Sequence, residues 1–261
     1  MITTTCAYCL AHDPSGLTTH CSACNMVYYC SRKCMIEDSL IHSADFECPI
    51  LQVIRERKTD STTDEVRHVV RTLALRLSES RFPSRKRWRR GTRAKEYLDL
   101  VTNIHHFDRY TLESLGYYIA GYVYELCKWT GNVHFFDGYS DIMNIICRNR
   151  CNAFALRVTR CAGENTLSDC GTGVCVRTSL FNHSCAPNAH YYVHADAQKP
   201  PEIHLTSTAD VPAGSELCIT YIDSTLPMVH RRAKLKESYF FHCVCQRCKS
   251  DARVLALLRL G

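Results

Sequence analysis

The residues best suited to chemistry in this sequence are its cysteines. The chain holds 18 among 261 residues. Cys6-x2-Cys9, Cys21-x2-Cys24, Cys30-x3-Cys34, His42 and Cys48 lie within 43 residues near the N-terminus. Each Cys-x2-Cys pair can bite one ion through a tight turn, and eight soft or borderline ligands fill two tetrahedral zinc sites with none left over. A segment this short and this poor in aliphatics cannot bury a sufficient core without metal. His12 and His20 lie close enough to substitute as ligands, but they read first as surface loop residues. Near the other end, FFHCVCQRCKS supplies Cys243, Cys245 and Cys248, one thiolate short of a structural zinc site. Cys185, stranded behind Asn182-His183 in SLFNHSCAPNAHYY, is the natural fourth ligand. Three Zn2+ are therefore expected. Cys127, Cys147, Cys151, Cys161, Cys170, Cys175 and Cys218 fall mostly in apolar runs and read as small buried hydrophobes.

The bulk composition sets where such chemistry takes place. With 46% hydrophobic and 22% charged residues, the chain can bury a real core, as one large domain or two unequal ones. No apolar run is long enough to cross a membrane, and MITTTCAYC lacks the apolar stretch of a signal peptide. The cysteines then belong in a reducing compartment, where clusters mean metal and not disulfides. The net charge of +6 suits an acidic or nucleic-acid partner without demanding one. RFPSRKRWRRGTRAK, residues 81–95, reads as a solvated linker, a nuclear import signal or a nucleic-acid footprint. No recognition helix or stacking platform accompanies it, so nucleic acid is weakly supported. The expected location is nucleus and cytoplasm.

The elements that position these residues can be read from periodicity. Val66, Val69, Val70, Leu73, Ala74 and Leu77 predict an amphipathic helix over 62–80. Thr111 reads as the N-cap of a second helix, LESLGYYIAGYVYELCKW, ending near Gly131. A third helix is expected over 139–149 and a last one over 226–238. Strand-like runs occupy 152–158, 173–181, 189–194, 202–208 and 216–222, bounded by Gly, Pro, Asn or Asp.

The ligand order CAYC…CSAC…YYCSRKC…H…C resembles the MYND finger. The nearest rival, a RING finger, wants a His in the middle of the series, and none sits there. SLFNHSCAPNA, followed by GSELCITYID and YFFHCVCQRC, resembles the C-terminal half of a SET domain. The order of finger, helices, CNAF, the Asn-His segment, ELCITY and the three-Cys tail resembles the SET-and-MYND lysine methyltransferases, over most of residues 6–250. The resemblance implies an α+β chain. Its mainly β SET fold with inserted helices would be preceded by a MYND-type finger and ended by a post-SET zinc site. The implied segments are 6–48 for the finger, 49–150 for a helical region, 151–223 for the C-terminal half of the SET core and 224–261 for the post-SET segment. One zinc would take Cys6, Cys9, Cys30 and Cys34, and the other Cys21, Cys24, His42 and Cys48. Five residues (SADFE) separate His42 from Cys48, where the family usually has three. Residues 179–185 would lie against 216–222 and 239–248, with the zinc at Cys185 stapling the crossing. Family members begin with a strand pair before the finger. This chain starts five residues before Cys6 and stops at Gly261, so those strands and the family's helical C-terminal domain are expected to be lacking.

The resemblance also implies a cofactor, S-adenosylmethionine, and a reaction, methyl transfer to a protein lysine, histone or other. Ser179 and Leu180 through their backbone, with Asn182 and His183, would hold the adenine and methionine ends. Asn152 matches the family's Asn beside the methionine part, Asn103 in VTNI looks equivalent to another contact, and Phe241 would pack on the adenine. Tyr221 is the phenol expected to orient amine and methyl while touching the cofactor; Phe154 and Tyr239 would wall the lysine channel. A proline-containing peptide is the expected partner of the finger. The alternative is a catalytically impaired adaptor that binds such peptides or chromatin partners.

Overall fold

The computed structural model describes residues 4–42, 45–57, 64–81, 94–159, 167–196 and 198–258. Residues 82–93 of the basic run and Cys161 lie outside them. The chain divides into two compact units, Met1–Val174 with Val193–Glu202, and Cys175–Tyr192 with Ile203–Gly261.

The first unit opens with a two-residue ribbon, β1 (Thr19–His20) against β2 (Tyr28–Tyr29), and a short helix α1 (Arg32–Asp38). Helices α2 (Glu47–Arg57), α3 (Asp64–Arg81), α4 (Ala94–Leu98), α5 (Arg109–Leu115), α6 (Gly121–Trp129) and α7 (Tyr139–Asn152) follow. Strands β3 (Ala153–Thr159) and β4 (Leu167–Val174) close the unit as an antiparallel pair. The apolar stripe expected of α3 is buried as read. Val66, Val70 and Leu73 meet Val123 and Leu126 of α6 and Ile142, Ile145 and Ile146 of α7 in one core. That core is continuous with Cys6, Cys9, Cys24 and Cys34, so the finger packs as part of this unit. Two ion pairs fasten α7 to α3, Arg76 to Asp141 at 2.9 Å and Arg150 to Glu65.

The second unit is built on a parallel pair, β5 (Asn182–His183) beside β8 (Cys218–Ile219). Most of strands β6 (Ala189–His194) and β7 (Glu202–Ser207), which pair with each other, belongs to it, and helices α8 (Met228–Tyr239) and α9 (Gln246–Leu258) complete it. Residues 182–184 therefore do lie against 216–222: Ser184 N–H donates to Ile219 O at 2.9 Å. Asn188 ties the same two segments, accepting from Cys218 N–H and donating to Glu216 O.

Several boundaries differ from the periodicity reading, each for a local reason. The second helix is capped by Asp108 and not Thr111, because the Asp108 carboxylate accepts both the Thr111 N–H and its hydroxyl. That helix also passes through a π turn at Gly116–Ala120, where Gly121 N–H reaches back to Gly116 O. A side chain at Gly116 would collide with the Tyr139 hydroxyl. The third helix runs on to Asn152, moving the start of the strand to Ala153. In place of a strand over 173–181, β4 ends at Val174 and Thr178–Leu180 form a 3-10 turn, since the Ser179 N–H and hydroxyl both bond Cys175 O. The run 216–222 keeps only Cys218–Ile219 as strand. No described helix is long and apolar enough to cross a membrane.

Candidate metal centres and active site

Three four-residue groups bring their ligand atoms within 4.8 Å of one another: Cys6, Cys9, Cys30 and Cys34; Cys21, Cys24, His42 and Cys48; Cys185, Cys243, Cys245 and Cys248. Tetrahedral zinc with Zn–S of about 2.3 Å has sulfur edges of about 3.8 Å, and a His nitrogen shortens its edges to about 3.6 Å. The separations match: 3.5 Å for Cys9–Cys30 and Cys30–Cys34, 3.7 Å for Cys21–Cys48, 3.5 Å for Cys24 Sγ to His42 Nε2, and 3.5 Å for Cys185–Cys248. A disulfide needs about 2.05 Å, so these are ion cages and not bridges. The interleaved pairing in the finger is the one the resemblance implied. His12 and His20 stay outside every group, each turned to a threonine.

The finger holds its thiols through two matching turns. Cys6 N–H donates to Ala11 O while Leu10 N–H returns to Cys6 O; Cys21 N–H donates to Val27 O while Asn25 N–H returns to Cys21 O. The fourth residue after each first Cys is left-handed, Leu10 at φ 60° and Asn25 at φ 52°. Asn accepts that conformation readily, whereas Leu does so at some strain, which the ligand geometry holds in place. Ser31 caps α1 by accepting Cys34 N–H, so the fourth thiol of that group rides on the first turn of a helix. Cys48 does the same on α2.

Sequence reading missed the shell behind these ligands. His42 presents Nε2 to the metal group while Nδ1–H donates to Glu47 Oε2 at 2.8 Å, a carboxylate behind a metal-binding imidazole. Arg71 from α3 bonds Glu47 at 2.7 Å and also pairs with Asp38, which accepts the Tyr29 hydroxyl at 3.0 Å. Asp38 is 0% and Glu47 5% exposed. Burial works to raise the Glu47 carboxyl, but Arg71 and His42 hold it below the ordinary range. One guanidinium thus bridges two buried carboxylates and ties zinc ligation to α3. Arg71→Met is expected to lower the unfolding free energy by about 3–5 kcal/mol, because two buried charges lose their partner. Urea denaturation checks it, and a loss below about 1 kcal/mol would contradict this role.

In the second unit, four of the expected site residues form one aromatic group. The His183 ring lies 5.4 Å from Tyr221 and 6.0 Å from Phe241, and Tyr221 lies 4.9 Å from Tyr239. The Tyr221 hydroxyl donates to Phe181 O at 2.5 Å, and the Tyr239 hydroxyl reaches Tyr221 O at 3.4 Å. Burial, and then the neighbouring Tyr239, push the Tyr221 phenol up to about 12, so it stays neutral at pH 7. Both His183 ring nitrogens are engaged. Nδ1 accepts Tyr221 N–H at 3.0 Å, which leaves the proton on Nε2, 3.3 Å from Cys185 Sγ. Burial, with the charge of Arg231, lowers this imidazole to about 4. Asn182 donates to Glu216 Oε1 at 2.6 Å, and the Leu180 side chain is 71% exposed. Arg231 and Arg247 back the third metal group: Arg231 bonds Asp251 at 2.6 Å and approaches Cys248 Sγ, and Arg247 donates to Cys185 O and Ser224 O. These cations suit four thiolates around one dication.

Asn103, Asn152 and Phe154 belong to the first unit. Asn152 donates to Val101 O and Arg148 O at 2.9 and 2.7 Å. Asn103 is left-handed and its amide reaches Cys151 Sγ at 3.6 Å. Phe154 pairs in register with Gly173 on β4.

The comparisons with known proteins agree with this chemistry. The SET domain family matches residues 37–222 and the MYND finger residues 6–46. A SET and MYND domain-containing protein of Dictyostelium discoideum is 33% identical, over 88% of this chain and 48% of that protein. The human histone-lysine N-methyltransferase SMYD3 is 25% identical over 88% of this chain and 49% of its own length. For the human N-lysine methyltransferase SMYD2 the figures are 27%, 93% and 50%. The chain spans about half the length of the relatives it matches. With its interleaved finger, Asn-His segment and third cysteine group, the chain belongs to the SET domain family, in its SET-and-MYND branch.

Proposed function

We propose that this protein transfers methyl groups from S-adenosylmethionine to lysine side chains of a protein substrate. The observation that carries the reading is the neutral Tyr221 phenol, fixed among His183, Tyr239 and Phe241 beside backbone carbonyls. Aromatic faces and carbonyl oxygens favour a sulfonium cation, so these residues fit the cofactor. When bound, the cofactor supplies an electrophilic methyl on a positively charged sulfur. Leu180 and Ser179 through their backbone, with Phe241, would hold it, and Asn182 and His183 would shape that wall through their own hydrogen bonds. Asn103 and Asn152 are assigned to the cofactor by the family motif. Tyr221 orients the reacting groups through its hydroxyl and does not act as a base, since its proton is held too firmly. Removal of the lysine amine from water, beside the positive sulfur of the cofactor, would disfavour an ammonium and so favour the neutral lysine that has a lone pair to give. Alignment and exclusion of water are then the enzyme's main contributions.

Incubation with tritium-labelled S-adenosylmethionine and a mixed protein extract is expected to leave acid-stable label on lysine. No transfer, together with no heat of binding for S-adenosylhomocysteine, would overturn the reading. A cleft of ≈ 230 Å³ beside the finger, flanked by Ala7, Leu10, Tyr28 and Arg67, favours a second role as a docking site for a proline-containing peptide. Peptide binding that persists in a protein without transfer activity would make the adaptor role the main one.

A further inference from the structure

Four backbone carbonyls before Asn103, those of Leu98, Leu100, Val101 and Thr102, are held by side chains from one face of α7. Arg148 donates through Nη2 to Leu98 O at 3.1 Å and through Nε to Leu100 O at 3.2 Å. Asn152 donates to Val101 O at 2.9 Å, and the Cys151 thiol to Thr102 O at 3.4 Å. Asn103 closes the set by donating to Cys151 Sγ. Positions 148, 151 and 152 are spaced by three and four, which places them on one side of the helix. Helix α4 ends at Leu98, and after the returns of Asp99 N–H to Lys95 O and Leu100 N–H to Tyr97 O the carbonyls of Leu100, Val101 and Thr102 are met by α7 side chains. At the end of this stretch Asn103 sits at φ 49°, ψ 22°, a left-handed conformation that Asn accepts readily and that fixes where its side chain leaves the backbone.

Arg148 is the costly member of the set. It is 7% exposed, its guanidinium lies 5.1 Å from the Tyr97 ring, and its Nη1 has no acceptor among the described residues. No carboxylate pairs with it among the described residues either. Burying a cation without a counter-ion is unfavourable, and an apolar side chain would fill the space at less cost. What only a guanidinium can do here is reach two carbonyls two residues apart from one rigid fork. We infer that Arg148 is a positioning residue that sets the backbone of 98–102 and thereby the conformation of Asn103. The inference rests on the proposed function, which makes Asn103 a cofactor contact.

The test compares the full chain with Arg148→Lys, Asn103→Ala and the double variant. S-adenosylhomocysteine affinity is read by calorimetry, and exchange of the 98–106 amides by mass spectrometry. Arg148→Lys is expected to weaken binding about tenfold and to speed exchange of these amides at least about tenfold, with zinc content unchanged. The double variant is expected to bind no more weakly than Asn103→Ala alone, because Arg148 acts through Asn103. In turnover, Arg148→Lys should raise KM for the cofactor while kcat changes less than about twofold. Arg148→Gln, which can still donate to one carbonyl, should fall between the two and covers the case in which the Lys variant fails to fold. Losses that multiply in the double variant, or Arg148→Lys binding like the parent while Asn103→Ala does not, would overturn the positioning role and leave the proposed function standing. No binding by the parent chain would overturn both.

Discussion

Cys185→Ser is expected to remove one zinc of three and with it the fold of the second unit, while Cys175→Ser is nearly silent. The reason lies in what that unit has for a core. Its buried cluster at the metal group is Leu235 with Cys185, Cys243 and Cys248, the rings around it are only half-buried, and Val176, Ala189 and Ile219 are the other buried apolar residues described in the unit. Full burial of one leucine contributes about 1.5–3 kcal/mol. A structural zinc contributes on the order of 10–16 kcal/mol. The metal group therefore takes the place of a hydrophobic core, and the parallel pair β5–β8 depends on it through Cys185. Burial pushes the Cys185 thiol up to about 12, and thiolates packed this closely repel one another unless a dication sits among them. Cys175 is half-buried and outside every metal group, and its replacement is expected to change stability by less than about 1 kcal/mol. Metal analysis with limited proteolysis checks both. A Cys185→Ser protein that keeps three zincs and resists cleavage over 203–258 would refute the assignment.

The contrast between those two cysteines was legible in the sequence, because ligand spacing is a local property. Cys-x2-Cys pairs and a three-thiol tail announce themselves, and Cys185 follows from the one vacancy they leave. The helices that begin at ligands were harder. α2 starts at Glu47, one residue before Cys48, and α9 at Gln246, two before Cys248, so in each the first turn is spent on a thiol and not on an apolar stripe. The shell behind the metals was not legible at all. No spacing in the sequence links Glu47, Asp38 and Arg71, and only the packing of α3 on the finger makes them one buried network. Arg148 read as one basic residue among many, since its partners are backbone carbonyls that carry no side-chain signature. His183 was legible as a motif residue but not in its bonding, which depends on Tyr221 arriving beside it from 38 residues away.

That bonding separates two roles in the proposed reaction, and it sets the last expected result. Tyr221→Phe should leave S-adenosylhomocysteine affinity within about threefold and cut turnover on the order of a hundredfold, the usual size when one preorganised hydrogen-bonding group is lost. The ring stays against Tyr239, so the wall keeps its shape; what goes is the hydroxyl that acts on the reacting groups. The Phe181 carbonyl also loses its partner, at about 1 kcal/mol of stability. His183→Ala acts earlier. It leaves Tyr221 N–H without its acceptor, removes the N–H that faces Cys185 sulfur, and opens a gap between Phe241 and Tyr221. Binding and stability should therefore fall together, by about 2–3 kcal/mol in unfolding free energy. Any fall in turnover should follow from the weakened binding. Calorimetry and single-turnover rates on the two variants distinguish them. Equal loss of binding in both would mean that the hydroxyl is part of the cofactor wall and not a group reserved for the transition state.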